Sequence, residues 1–191
     1  MMIGICGGIG SGKSVVSRIL RLRGDAVYDC DLEAKRIMDS SEEVLSALNV
    51  RYGDAVCPSG GPICRTELAR RVFGSDEERL WLNGLVHRLV REDVARWHAF
   101  MSASGSRRCF VESAILASSG LAAMCDEIWI VTASEEVRIA RIKERDSLTD
   151  EAIISRIRSQ QEETKLIEAS EVRLRVIDNS GTIPLLPQIP T

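Results

Sequence analysis

Short, almost wholly apolar runs recur along the chain, separated by longer stretches in which apolar residues return every three or four positions. Met2-Ile3-Gly4-Ile5-Cys6 is the first such run. It ends in glycines and predicts a strand buried in a parallel sheet. Beyond those glycines Val15, Val16, Ile19 and Leu20 have helical spacing, and Gly24-Asp25 ends that helix. Ala26-Val27-Tyr28 predicts a second strand. Two helices follow, one carried by Leu32, Ile37 and Met38 and the other by Val44, Leu45 and Leu48. Cys57-Pro58-Ser59-Gly60-Gly61-Pro62 is the densest turn cluster. After it, a helical stretch over about 64 to 103 carries Leu82, Leu85, Val86, Leu89, Val90, Val94, Trp97 and Met101 on one face, which must be buried. Ser102 to Ser106 closes that stretch. Strands are predicted at Cys109-Phe110-Val111 and Ile128-Trp129-Ile130-Val131-Thr132, then helices over about 134 to 144 and 149 to 168. Leu174-Arg175-Val176-Ile177 is the last strand.

Strands alternating with helices in this way predict an α/β protein: three layers, α/β/α, around a parallel five-stranded sheet. The expected organisation is a single domain over 1–191. Its core would span about 1–39 and 107–181, with a helical insertion over about 40–106 and a lid over about 141–160.

Composition narrows the partners. The chain has 191 residues, 45% hydrophobic and 28% charged, as an ordinary globular protein does. A net charge of -3 gives no bulk attraction to nucleic acid or to an anionic membrane. No apolar run approaches the roughly 18 residues of a spanning helix. Met1-Met2-Ile3-Gly4 lacks the basic segment of a signal peptide, so a cytoplasmic location is expected. Six cysteines (Cys6, Cys30, Cys57, Cys64, Cys109 and Cys125) contain no Cys-x-x-Cys spacing, and several lie in apolar runs. They read as small buried hydrophobes in a reducing compartment. His87 and His98 are the only histidines and have no paired spacing, which argues against zinc.

The chemistry concentrates in Gly7-Gly8-Ile9-Gly10-Ser11-Gly12-Lys13-Ser14, which fits Gly-x-x-x-x-Gly-Lys-Ser/Thr between a strand and a helix. Glycines there let successive amides converge on an anion at the positive end of the helix. Gly8, Gly10, Ser11, Gly12, Lys13, Ser14 and Val15 are the expected ATP contacts. Lys13 would reach the β- and γ-phosphates, and the Ser14 hydroxyl would hold Mg²⁺. A glycine-rich turn with an incidental lysine is the alternative. Asp29 and Asp31 lie just past the second strand, at the end of the sheet where ligands bind in open α/β folds. They can orient and deprotonate an acceptor hydroxyl or hold Mg²⁺ through water; equally, one of them can cap the helix near Leu32. Arg138, Arg141 and Arg145 share a helical face, and Thr149 can cap a further helix. For Arg141 and Arg145 this predicts a phosphate-contacting lid. For Arg138 it predicts a solvated pairing with nearby glutamates.

Together these residues resemble the dephospho-coenzyme A kinase family, which has a P-loop kinase fold. The resemblance runs from Ile3 to about Gly181. It is carried by Gly7 to Ser14, by Asp29 and Asp31, and by Arg65-Thr66-Glu67-Leu68 through Val72-Phe73 into Trp81-Leu82-Asn83-Gly84-Leu85-Val86-His87. Arg141, Arg145-Asp146 and Ile177-Asp178-Asn179-Ser180-Gly181 complete it. It implies ATP-dependent phosphorylation of the ribose 3′-hydroxyl of dephospho-coenzyme A, with Mg²⁺, by a monomer or weak homo-oligomer that binds neither nucleic acid nor membrane. Asp31 is then the carboxylate that activates the hydroxyl, and Arg141 contacts ATP phosphates. Asn179 lies near the adenine, and Asp29, Arg65, Asn83 and His87 line the acceptor side.

The chain departs from the family in three places. His87-Arg88 replaces His-Pro, and a glutamate expected near Ser118 is missing. A proline-rich tail from Ile183 to Pro190 stands where the family has its last helix, and its prolines argue against any helix there. A nucleoside or nucleotide kinase with another acceptor is an alternative, as is a P-loop nucleotide switch. The switch reading lacks an apolar strand ending Asp-x-x-Gly.

Overall fold

A computed structural model describes residues 1–58, 61–146 and 149–190. Ser59 and Gly60 of the predicted turn cluster, Ser147 and Leu148 of the expected lid, and Thr191 lie outside the described residues.

The strands are β1 (Met2–Cys6), β2 (Ala26–Asp29), β3 (Cys109–Glu112), β4 (Glu127–Thr132) and β5 (Arg173–Asp178). They form one all-parallel sheet in the order β2-β3-β1-β4-β5, as the alternating pattern predicts. The most apolar runs are the most deeply buried strands: β1 and β3 are buried throughout and sit at or next to the centre. Edge strand β5 keeps only Ile177 buried. The helices are α1 (Lys13–Leu22), α2 (Cys30–Ser40), α3 (Glu42–Tyr52), α4 (Arg65–Phe73), α5 (Asp76–Ala103), α6 (Glu135–Arg145), α7 (Asp150–Ser159) and α8 (Gln161–Glu168).

Two compact units result, Met1–Asp29 with Arg96–Thr191 and Cys30–Ala95. In the first, Ile3, Ile5, Phe110, Trp129, Val131 and Ile177 of the sheet pack against Val16 and Leu20 of α1. Gly24, in the left-handed region at φ 84°, lets the chain turn out of α1 into β2. In the second unit Val44, Leu48, Leu68 and Val90 are buried. Ion pairs join its helices: Arg36 to Asp93 at 3.1 Å, Arg65 to Asp39 at 2.5 Å, and Arg51 to Glu78 at 2.6 Å.

Several expectations need correction. The stretch over 64 to 103 is two helices: Gly74 ends α4, and the Ser75 hydroxyl accepts from the Glu78 amide to start α5. The stretch over 149 to 168 is likewise α7 and α8, broken at Gln160. Thr149 caps α7, accepting from the Ala152 amide. α5 runs unbroken through His87-Arg88. Five cysteines are buried, but Cys64 is exposed. The tail does hold one short turn of 3-10 helix, Leu186–Gln188. It also contributes Ile189 to the main core, while the Gln188 amide pairs with both the N–H and the C=O of Asp178. None of the described helices is long and apolar enough to cross a membrane.

Candidate active site

The phosphate loop leaves the centre of the sheet, where the chain crosses from β1 to β2 on one side and from β3 to β4 on the other. Ligand crevices form at that switch point. Three of its glycines have positive φ: Gly7 at 147°, Gly10 at 77° and Gly12 at 95°. Gly7 also approaches β4 closely, for a Cβ there would sit 2.2 Å from the Val131 carbonyl oxygen. Gly12 is the residue before α1, so the amides of Lys13 and Ser14 lie in the first helical turn, where no intrahelical acceptor exists. The Val15 amide, by contrast, donates to the Gly12 carbonyl at 3.0 Å. Ser14 is exposed, whereas Ser11 is buried and its hydroxyl has no hydrogen-bond partner.

Carbonyls of the loop face outward onto side-chain donors. Lys13 Nζ donates to Gly7 at 2.7 Å, and Arg138 Nε to Ile9 at 2.8 Å. Arg141 reaches Gly10 at 3.3 Å and Ser11 at 3.4 Å, and its other terminal nitrogen reaches the Asn179 carbonyl at 2.8 Å. Asn179 Nδ2 donates to Ser11 at 2.8 Å, and its own amide continues β5 by donating to Thr132. The Ile9 amide donates to Gln160 Oε1 at 2.6 Å.

Lys13, Arg141 and Asn179 are thus gathered on the loop. Arg145 instead makes a two-pronged pair with its neighbour Asp146, at 2.9 and 2.7 Å. Asp29 ends β2 beside Glu112, its register partner at the end of β3. Asp31, Arg65, Asn83 and His87 belong to the second unit. Asp31 sits in the first turn of α2, where a negative charge suits the helix dipole. Asn83 and His87 are one turn apart on α5. Arg65 opens α4 and pairs with Asp39.

Three residues at the loop escaped the sequence reading. Glu112 is one: only 9% exposed, its carboxyl has a raised pKa because burial disfavours the charge and Asp29 adds repulsion, against the Ser17 hydroxyl, Lys13 and Arg21. An acidic residue ending the otherwise apolar run 109–111 was the available signal. Arg138, expected in solvent with glutamates, lies against Gly8 and the loop, and burial pulls its pKa down. Gln160 gave no signal beyond its place in a helical stretch. Near Ser118, where a glutamate was expected, the Glu163 carboxylate accepts from the Ala117 and Ser118 amides.

The donor set suits Mg²⁺: a hydroxyl at Ser14 and carboxylates at Asp29 and Glu112 are hard oxygen ligands. No group of three or more His, Cys, Asp or Glu able to hold a metal occurs among the described residues. Cys6, below the loop, has its thiol pushed up to about 12, chiefly by burial, which excludes it as a nucleophile.

A parallel sheet whose central strand feeds a Gly-Lys-Ser loop into a helix, with cations gathered on that loop, defines a P-loop kinase. The Dephospho-CoA kinase family profile matches residues 1–184. The dephospho-CoA kinase of Porphyromonas gingivalis is 41% identical over 98% of this chain and 90% of its own length. That of Bacteroides fragilis strain YCH46 is 39% identical over 98% and 88%. A crystal structure of a Thermus thermophilus protein superposes with a TM-score of 0.76 at 31% identity, over 99% of this chain and 92% of that one. The Campylobacter jejuni dephospho-CoA kinase shares the fold, with a TM-score of 0.68 at 20% identity over 98% and 91%. The chain belongs to the dephospho-CoA kinase family and is an ATP-dependent phosphotransferase.

Proposed function

We propose that this enzyme transfers the γ-phosphoryl group of ATP to the ribose 3′-hydroxyl of dephospho-coenzyme A in the cytoplasm, giving coenzyme A and ADP. Family membership across residues 1–184 is the observation that carries this reading. In it, the amides of Gly8, Gly10, Gly12, Lys13 and Ser14 form the phosphate cradle, Ser11 and Val15 brace it through their amide bonds to the Gly8 and Gly12 carbonyls, and Lys13 exchanges the Gly7 carbonyl for phosphate oxygens. The Ser14 hydroxyl would hold Mg²⁺, with the Asp29 and Glu112 carboxylates as further oxygen donors, and the ion would supply charge neutralisation on the phosphates. Asp31 accepts the proton of the acceptor hydroxyl, the 3′-oxygen attacks the γ-phosphorus, and ADP leaves with the electrons of the broken bond. Arg141 and Arg145 offset charge on the phosphates, Asn179 borders the adenine, and Arg65, Asn83 and His87 hold the acceptor.

ATP turnover measured with and without dephospho-coenzyme A tests this directly. Strong stimulation by dephospho-coenzyme A is expected. Stimulation by a nucleoside alone would favour the nucleoside-kinase alternative, and slow turnover indifferent to any acceptor would favour the switch.

A further inference from the structure

Ile9 occupies a position that the Gly-x-x-x-x-Gly-Lys-Ser pattern leaves open, yet every part of it is engaged by the helical segment α6–α8. Its N–H donates to Gln160 Oε1 at 2.6 Å, where α7 gives way to α8. Its C=O accepts from Arg138 Nε of α6 at 2.8 Å. Its side chain packs against a cluster made of Ile142, Ile153 and Ile157 from α6 and α7. One turn beyond Gln160, Glu163 accepts from the amides of Ala117 and Ser118, in the segment after Glu112.

We propose that Gln160 and Arg138 are positioning residues that tie the α6–α8 segment to the phosphate loop through the two ends of Ile9. Fixing both hydrogen-bonding groups of that residue sets the peptide planes on either side of it, and so the direction of the amides that follow from Gly10 onward. The loop is glycine-rich and has little conformational preference of its own, so its shape must be imposed by what surrounds it. Binding at the loop and ordering of α7–α8 are then linked, and linkage runs equally in both directions. The inference rests on the reading of Gly7 to Ser14 as the ATP site. It concerns neither the transferred group nor the acceptor.

Two substitutions separate an acceptor requirement from mere bulk. Gln160→Met keeps the shape and removes the oxygen; Gln160→Glu keeps an acceptor. Losing one hydrogen bond corresponds to about two- to twelvefold weaker nucleotide binding. Gln160→Met should therefore raise the Kd for ATP and ADP, and the KM for ATP, by that factor, with the KM for dephospho-coenzyme A unchanged. Gln160→Glu should weaken nucleotide binding less than Gln160→Met at high ionic strength, where its added negative charge is screened. In the native chain, ADP alone should slow amide exchange over 150–168. Native-like ATP affinity in Gln160→Met, or equal weakening in both variants, overturns the tether. Should Gln160→Met fail to fold, the exchange measurement decides: amides over 150–168 indifferent to ADP overturn it. A native chain that binds no ATP would overturn the functional reading and the tether together, whereas native binding with an indifferent Gln160→Met overturns the tether alone.

Discussion

Adjacent glycines in the phosphate loop should respond very differently to a single added methyl group. At Gly7 a Cβ would meet the Val131 carbonyl oxygen at 2.2 Å and Ser11 Oγ at 2.9 Å, on a backbone with φ 147°. The obstructing carbonyl belongs to β4, which is paired to β1 on one side and β5 on the other and cannot yield. The loop must therefore move by roughly 1 Å to restore contact distance. Backbone strain of about 1–3 kcal/mol adds to about 1–3 kcal/mol of overpacking, so Gly7→Ala should cost about 2–6 kcal/mol of stability. A shift of that size at the phosphate cradle should lower turnover by about 10²-fold or more. At Gly8 the nearest atom is Arg138 Nη2 at 2.3 Å, the far end of a flexible side chain. That arginine can swing away, losing its bond to the Ile9 carbonyl for about 1 kcal/mol. Gly8→Ala should thus fold normally and lose no more than about tenfold in activity. Denaturant titration and steady-state kinetics on the two variants check this. Equal damage at both positions, or a tolerated Gly7→Ala, would refute the steric account.

Lys13→Ala should reduce turnover by about 10²-fold or more, as removal of a transition-state charge partner does. Asp31→Asn should cost about 10²- to 10⁴-fold with ATP affinity kept, the scale of a lost general base; near-native rates would leave Asp31 with only a helix-terminal role. Glu112→Gln should stabilise the fold at neutral pH while lowering activity, because burial raises the carboxyl's pKa in the folded chain, so that ionisation favours the unfolded one. Below the ordinary carboxylate pKa both folded and unfolded chains carry the proton and the residue is neutral to stability. As pH rises from there through the raised folded value, the native chain loses stability relative to the variant, so their difference in denaturant midpoint should grow with pH. Ile189→Ala should cost about 2–4 kcal/mol in thermal or chemical unfolding, since the proline-rich tail places that side chain in the main core.

What could be read from the sequence was local. Strands announce themselves as apolar runs, and all the defining residues of the phosphate loop lie within eight consecutive positions, with its flanking strand and helix adjoining them. The break between α4 and α5 was legible in Gly74-Ser75 as well, but a strong apolar periodicity on both sides masked it. Arg138 was misread for a different reason. Glu135 and Glu136 precede it on α6, and charge spacing alone favours a solvated face. Its actual partner is the Ile9 carbonyl, 129 positions away, and only the packing of α6 against the loop brings them together. Gln160 is harder still, because an uncharged polar residue inside a helical pattern carries no signature. Glu112 stands between these cases: its position at the end of an apolar strand was visible, but its burial was not.

The loop carries three cations, although its sequence pattern requires one, and their arrangement explains why. For amides to converge on an anion, the carbonyls of the same peptides must turn outward. In a packed protein those outward carbonyls need donors, since a buried unpaired carbonyl costs about 1–3 kcal/mol. Neutral donors would satisfy them equally well, as Asn179 does for Ser11. Cations do something further. Lys13 on Gly7, Arg138 on Ile9, and Arg141 on Gly10 and Ser11 add positive charge to a loop whose amides suit an anion. Both contributions have the same sign at the centre of the cradle. A polyphosphate entering it gains from side-chain charges that need no rearrangement, because the loop's own carbonyls already hold Arg138 and Arg141 in place. Preorganised charge of this kind is the main resource available for phosphoryl transfer, where the protein contributes position and field more than covalent chemistry. Arg138 and Arg141 therefore bear on the shape of the loop as well as on its charge.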